Sequence, residues 1–146
     1  MAISDSREVV IDATPEEILA VIADVESAPD WSSQHQGAEI LDTDENGRPS
    51  RVRLKLKTMG ISDEMVVQYT WTDLSASWVL VSSGQLKTQD AGYTLTPDGN
   101  KTKVRFDITV DPSMPIPGFV LKRAMKGGVE SATDGLRKQV MKVKKG

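Results

Sequence analysis

The sequence has no cysteine and only one histidine in 146 residues. Thiolate catalysis, zinc ribbons and iron–sulfur ligation are therefore excluded. With one histidine, a metal would have to rely on carboxylates, and no helical or loop spacing clusters them, so neither a metal nor a cofactor is expected. No apolar run approaches the roughly 18 residues that a membrane span needs. The N-terminus is acidic and polar where a secretory signal would be basic and then apolar. These absences predict no stable membrane anchor and a cytoplasmic location. Phosphate-loop and dinucleotide fingerprints are missing too, since Gly84, Gly92 and Gly99 fall in separate turns. With no repeat and no low-complexity stretch, residues 1–146 are read as one domain.

What is present is an ordinary globular composition, 38% apolar and 27% charged, with an uneven charge distribution. Eight acids against one arginine give residues 1–30 a charge of −7, whereas eight bases against two acids give residues 121–146 a charge of +6. Nucleic-acid binding is not expected from the basic end. The overall pI of about 5.2 opposes phosphate, and no aromatic-basic run accompanies the lysines. A solvated helix face explains the lysines, of which Lys142, Lys144 and Lys145 complement the negative end of the helix dipole.

Residues 7–12 read as a short strand. Thr14-Pro15-Glu16-Glu17 follows as a capping box with proline at the first helical position, opening a helix whose apolar face is Ile18, Leu19, Val21, Ile22 and Val25. Pro29 closes a second short turn before Trp31. From Gly37 to Pro112 the texture becomes six short alternating runs separated by turn signals such as Asn46-Gly47 and Pro97-Asp98-Gly99-Asn100. Parity changes between Leu86/Thr88 and Tyr93/Leu95, which predicts a β-bulge near Ala91-Gly92. After a loop with three prolines, Leu121, Met125, Ala132, Leu136, Val140 and Val143 recur at helical spacing, with Val129 beside the stripe, so residues 118–144 are expected to form one helix.

The segment from Asp12-Ala13-Thr14-Pro15-Glu16-Glu17-Ile18 through Ala23-Asp24-Val25 to Pro29-Asp30-Trp31, six strands, and then Asp111-Pro112 and Pro115-Ile116-Pro117-Gly118-Phe119 before a long helix resembles the START-related superfamily. Within it the chain is similar to the bacterial polyketide cyclase/dehydrase and lipid-transport (SRPBCC) branch. The resemblance covers essentially the whole chain. It implies an α+β helix-grip fold: a seven-stranded curved antiparallel sheet wrapped around a long C-terminal helix, with two short helices between the first and second strands.

The resemblance also implies an internal cavity. Parity nominates Leu54, Leu56, Met65, Val67, Tyr69, Trp71, Trp78, Phe106 and Ile108 from the sheet, and Leu121, Met125, Gly128 and Val129 from the helix, as its walls, with the same residues equally able to fill a plain core. In the family's geometry Met114, Ile116 and Phe119 would stand at its mouth. Gly127-Gly128 costs helix propensity, and a kink, a close backbone approach and space for a ligand are all open explanations.

No catalytic residue is assigned. Glu64 and Asp107 share the wet faces of their strands, and His35 reads as an unpartnered loop histidine of surface or structural type. The expected function is binding or transport of a small hydrophobic molecule such as a lipid, isoprenoid quinone or aromatic polyketide. The alternative is a polyketide aromatase/cyclase acting by shape, with Tyr69, Tyr93, Gln85 or Asp63 as proton shuttle. An interaction protein with a vestigial pocket is a third possibility. Oligomeric state is not legible.

Overall fold

The computed structural model describes residues 2–58, 60–113 and 115–145. Strand β1 (Ile3–Ile11) leads to helix α1 (Pro15–Ala23) and a 3₁₀ turn (Val25–Asp30). Six strands follow: β2 (His35–Thr43), β3 (Pro49–Thr58), β4 (Ile61–Thr72), β5 (Ser75–Ser83), β6 (Leu86–Asp98) and β7 (Lys101–Pro112). They form one antiparallel sheet in the order β1-β7-β6-β5-β4-β3-β2, a meander to which β1 adds beside β7. Helix α2 (Gly118–Glu130) continues through a π-type turn (Ser131–Gly135) into α3 (Leu136–Lys145), and the curved sheet wraps this composite helix. The helix-grip architecture read from the sequence is the one observed.

Local chemistry accounts for the elements. The Thr14 hydroxyl accepts from the Glu17 backbone N–H at 3.2 Å, and the Glu17 carboxylate accepts from the Thr14 N–H at 3.0 Å, completing the predicted capping box. Gly47 at φ +81° and Gly99 at φ +63° supply the left-handed conformations that two of the hairpin turns require. Strand β1 begins earlier than residue 7 because its inward side includes Asp5 and Arg7, polar residues that hid the alternation. Arg7 is held there by Asp134 at 2.5 Å and by the Thr133 hydroxyl at 3.0 Å, which ties the first strand to the π-type turn.

Two expectations are corrected. The bulge lies between Leu86 and Thr88 in the β6–β7 ladder, not at Ala91-Gly92, where the β5–β6 pairing is regular. The earlier bulge already returns Gln89, Ala91, Tyr93 and Leu95 to the inner face. His35 is not a loop residue: it opens β2, paired with Leu56.

Two apolar clusters form. One joins α1, β1, β5 to β7 and the helix around Ile11, Ile18, Leu95, Val104, Leu136 and Val140. The other joins Val25, Val52, Leu54, Met65 and Val67 under β3 and β4. They do not merge completely, and the candidate site is the space between them.

Candidate functional site

Four strands each contribute one ring to a continuous aromatic shelf on the inner face. Tyr69 on β4 faces Trp78 on β5 across the ladder, and Tyr93 on β6 faces Phe106 on β7. Ring centroids are 5.1 Å apart for Tyr69–Trp78, 5.9 Å for Trp78–Tyr93 and for Trp78–Phe106, and 4.9 Å for Tyr93–Phe106, all tilted pairs. Such pairs add about 0.5–1.5 kcal/mol beyond area burial, so the shelf is a stiff wall.

Above it lies an inner chamber of about 120 Å³, bounded by this shelf, by Leu54, Leu56, Met65 and Ile108, by Ile22, Val25 and Ala28, and by Gly128 and Ala132 of the helix. An adjoining outer chamber of about 160 Å³ shares Leu56, Met65, Ile108 and Gly128, and adds Leu121 and Met125 of α2 with Ile61 from the start of β4 and Ile116 from the loop before α2. An apolar cavity of about 150 Å³ is large enough for a benzene ring, so each chamber has room for about one ring.

The nominated residues thus divide. Leu54, Leu56, Met65, Tyr69, Trp78, Phe106, Ile108 and Gly128 lie on the inner chamber, and Leu121, Met125 and Ile116 on the outer one. Val67, Trp71 and Val129 border neither. Val67 is fully buried in the second core cluster. Trp71 is drawn to the end of the sheet, where its indole N–H donates to the Pro49 carbonyl at 2.7 Å and the Arg48 guanidinium stands 5.2 Å over its ring. Val129, one residue round the helix from Gly128, packs into the first core cluster. Phe119 is 71% exposed and touches neither chamber, and Met114 lies outside the described residues.

Gly128 borders both chambers, and the space beside it is taken by Gln34. A Cβ at Gly128 would stand 3.3 Å from the Gln34 side-chain oxygen, and one at Gly127 3.5 Å from its nitrogen. Gln34 crosses to the helix because its amide donates to the Ala124 carbonyl at 3.0 Å. The glycine pair therefore admits a side chain from the sheet edge. Gly135 serves a tighter approach, since a Cβ there would overlap the Trp31 carbonyl oxygen.

The polar groups of the wall are few. The Tyr93 hydroxyl is spent on the Ala132 carbonyl in the π-type turn at 2.9 Å. Tyr69 and Gln89 border the inner chamber, and among the described residues neither side chain has a hydrogen-bond partner. Burial raises both tyrosines above the usual phenol range. His35 borders the inner chamber, its Nδ1 2.7 Å from the Ser32 hydroxyl, and desolvation lowers its pKa to about 4, so the ring is neutral at pH 7. The Trp31 indole N–H is buried without a partner among the described residues. Of the groups named as proton shuttles, Tyr93 is engaged, Asp63 accepts from the Ser83 hydroxyl and the Gly84 N–H, and the Gln85 amide is turned to the Ser62 carbonyl at 3.4 Å. Tyr69 alone of the four is free to meet a molecule in the inner chamber.

Tyr93, Gln34, His35, Gln89 and Trp31 were not among the walls expected from the sequence. Tyr93 and Gln89 are hidden in the sequence because the register shift that turns them inward lies upstream, between Leu86 and Thr88. The others lie in the aperiodic stretch after Pro29, where no alternation exists to read.

No curated protein matches the sequence. Among solved structures, a START superfamily protein from Mycobacterium smegmatis aligns with TM-score 0.85 and 24% identity, covering 96% of this chain and 98% of that one. A protein from Thermus thermophilus aligns with TM-score 0.84 and 22% identity over 97% and 99%. The Zhui aromatase/cyclase of Streptomyces sp. R1128 aligns with TM-score 0.83 at 11% identity over 97% and 94%. At these identities the likeness is one of fold. The sequence itself matches the family model for polyketide cyclase / dehydrase and lipid transport over residues 3–141, nearly the whole length, and the chain therefore belongs to that family.

Proposed function

We propose that this protein binds a small hydrophobic molecule in the paired chambers between sheet and helix, as a carrier or sensor. The observation that carries this reading is the unfilled space between two otherwise well-packed apolar clusters, walled by Tyr69, Trp78, Tyr93 and Phe106. Burying about 300 Å² of apolar ligand yields a gross gain near 7 kcal/mol at about 25 cal/mol per Å², before an association cost of at least about 4 kcal/mol. Affinity for a simple apolar probe is accordingly expected at micromolar strength or weaker. Titration with naphthalene derivatives, read by Trp emission and by thermal stability, tests it. Quenching or a spectral shift with a rise in Tm supports the reading, and saturating probe that leaves both unchanged removes it.

The aromatase/cyclase reading keeps one specific support, an unpartnered Tyr69 hydroxyl and a neutral His35 ring lining the same chamber. It is distinguished by whether a bound poly-ketone returns changed.

A further inference from the structure

We propose that His35 is the hydrogen-bond donor that anchors a ligand in the inner chamber, through Nε2–H, and that the chamber takes a neutral, ring-shaped molecule bearing a carbonyl-type oxygen rather than a bare hydrocarbon. The inference rests on the cavity-binding reading above and specifies its chemistry.

The tautomer of His35 follows from Ser32. Ser32 is 5% exposed, and its hydroxyl has the His35 Nδ1 as its only side-chain partner among the described residues. Either tautomer leaves one proton without a protein partner, the sealed Ser32 hydroxyl's or that on Nε2 of a ring bordering the chamber, and the sealed one is the costlier to strand, so the hydroxyl donates to Nδ1. Nδ1 then carries no proton, and the neutral ring bears its proton on Nε2. Ser32 is a positioning residue: it fixes which nitrogen donates. Nδ1 being engaged, Nε2–H is the ring function left for a bound molecule.

The rest of the inner wall fits the same ligand. The Tyr69 hydroxyl and the Gln89 amide are both able to donate and both lack a partner, and the buried Trp31 indole N–H is a fourth unpaired donor among the described residues bordering the chamber. Among those residues there is no Asp, Glu, Lys or Arg. An anion would meet no cation there and would bear its full desolvation penalty, whereas a neutral carbonyl oxygen needs only donors. A hydrocarbon would leave all these donors unpaired beside it.

A matched pair of probes separates the contributions: 2-acetylnaphthalene, with a carbonyl, and 2-isopropylnaphthalene, of similar shape without one. Both are titrated into wild type, His35→Phe and Ser32→Ala by calorimetry. One lost hydrogen bond should lower the ketone-to-hydrocarbon affinity ratio about threefold to tenfold in His35→Phe, with the hydrocarbon Kd within about twofold of wild type. Ser32→Ala should lower the ratio in the same direction by less, because both tautomers become available. In the wild type, nitrogen-15 NMR of the imidazole should show Nδ1 unprotonated and Nε2 protonated, with Nε2 shifting on addition of the ketone and not of the hydrocarbon. This measurement needs no variant to fold. A hydrocarbon that binds while the ratio stays unmoved, equal losses for both probes, or a proton found on Nδ1 overturns the inference and leaves the cavity reading standing. Failure of both probes to bind the wild type overturns the two together.

Discussion

The single histidine gives a clean test of whether the inner chamber is shielded from water. His35 titrates near 6.5 in an unfolded chain and at about 4 in the folded protein, the cause being desolvation. A folded-state pKa below the unfolded value means that the unfolded chain binds the proton more tightly. Stability is therefore full above the unfolded value, falls as the pH drops from about 6.5 toward 4, and is constant with respect to this group below that. At 1.36 kcal/mol per pH unit the loss reaches about 1 kcal/mol at about pH 5.5 and about 3 kcal/mol at about pH 4.5. That is a large share of the roughly 5–15 kcal/mol typical of a domain. Urea unfolding across this range, in wild type and His35→Gln, reads the effect. Carboxylate contributions are common to both proteins and cancel in the difference, and no second histidine confuses it. The wild-type curve should fall more steeply by about 3 kcal/mol over the window. Parallel curves would show that His35 is hydrated in the folded state and that the inner chamber is open to water.

Gly128→Ala places a methyl 3.3 Å from the far end of the Gln34 side chain, which can swing aside, so helix propensity should raise stability by up to about 1 kcal/mol while probe affinity falls. Gly128→Leu should keep the fold and nearly abolish binding, and unchanged affinity in both variants would show that the helix does not set the chamber's size. Gly135→Ala meets the Trp31 backbone and should cost about 1–3 kcal/mol, read as a lower urea midpoint at constant m-value. Tyr93→Phe leaves the Ala132 carbonyl without its donor and should cost about 1 kcal/mol by the same assay, with no loss indicating that the π-type turn is held by Arg7, Thr133 and Asp134 alone.

The sheet was legible because one of its faces is wet. Strand β7 alternates Val104 and Phe106 against Lys103 and Arg105, so a period of two exposes both its limits and its inward residues. The capping box at Thr14 and the glycine turns at Gly47 and Gly99 are equally local signals. Parity gives a side of the sheet and not a place along it, which is why Val67 and Trp71 share a face with Met65 and Tyr69 yet border no chamber. A stripe likewise marks a helix face without its depth: Val143 continues the pattern and is 56% exposed. The polar end of the site was hidden for a different reason. Trp31, Gln34 and His35 are placed by contacts distant in sequence, with Trp31 against Gly135, Gln34 against Ala124 and His35 paired with Leu56, and no local rule links those positions.

A hydrophobic molecule in the space between the two apolar clusters must touch the side chains that wall it. Intermolecular nuclear Overhauser effects between bound 2-acetylnaphthalene and selectively labelled methyl groups measure this directly. Cross-peaks to Leu54, Met65 and Ile108, with none to the exposed Val143 or Val79, are the predicted result. Cross-peaks confined to surface methyls, or a probe that shows no contact with Leu54, Met65 and Ile108 at saturation, would contradict it.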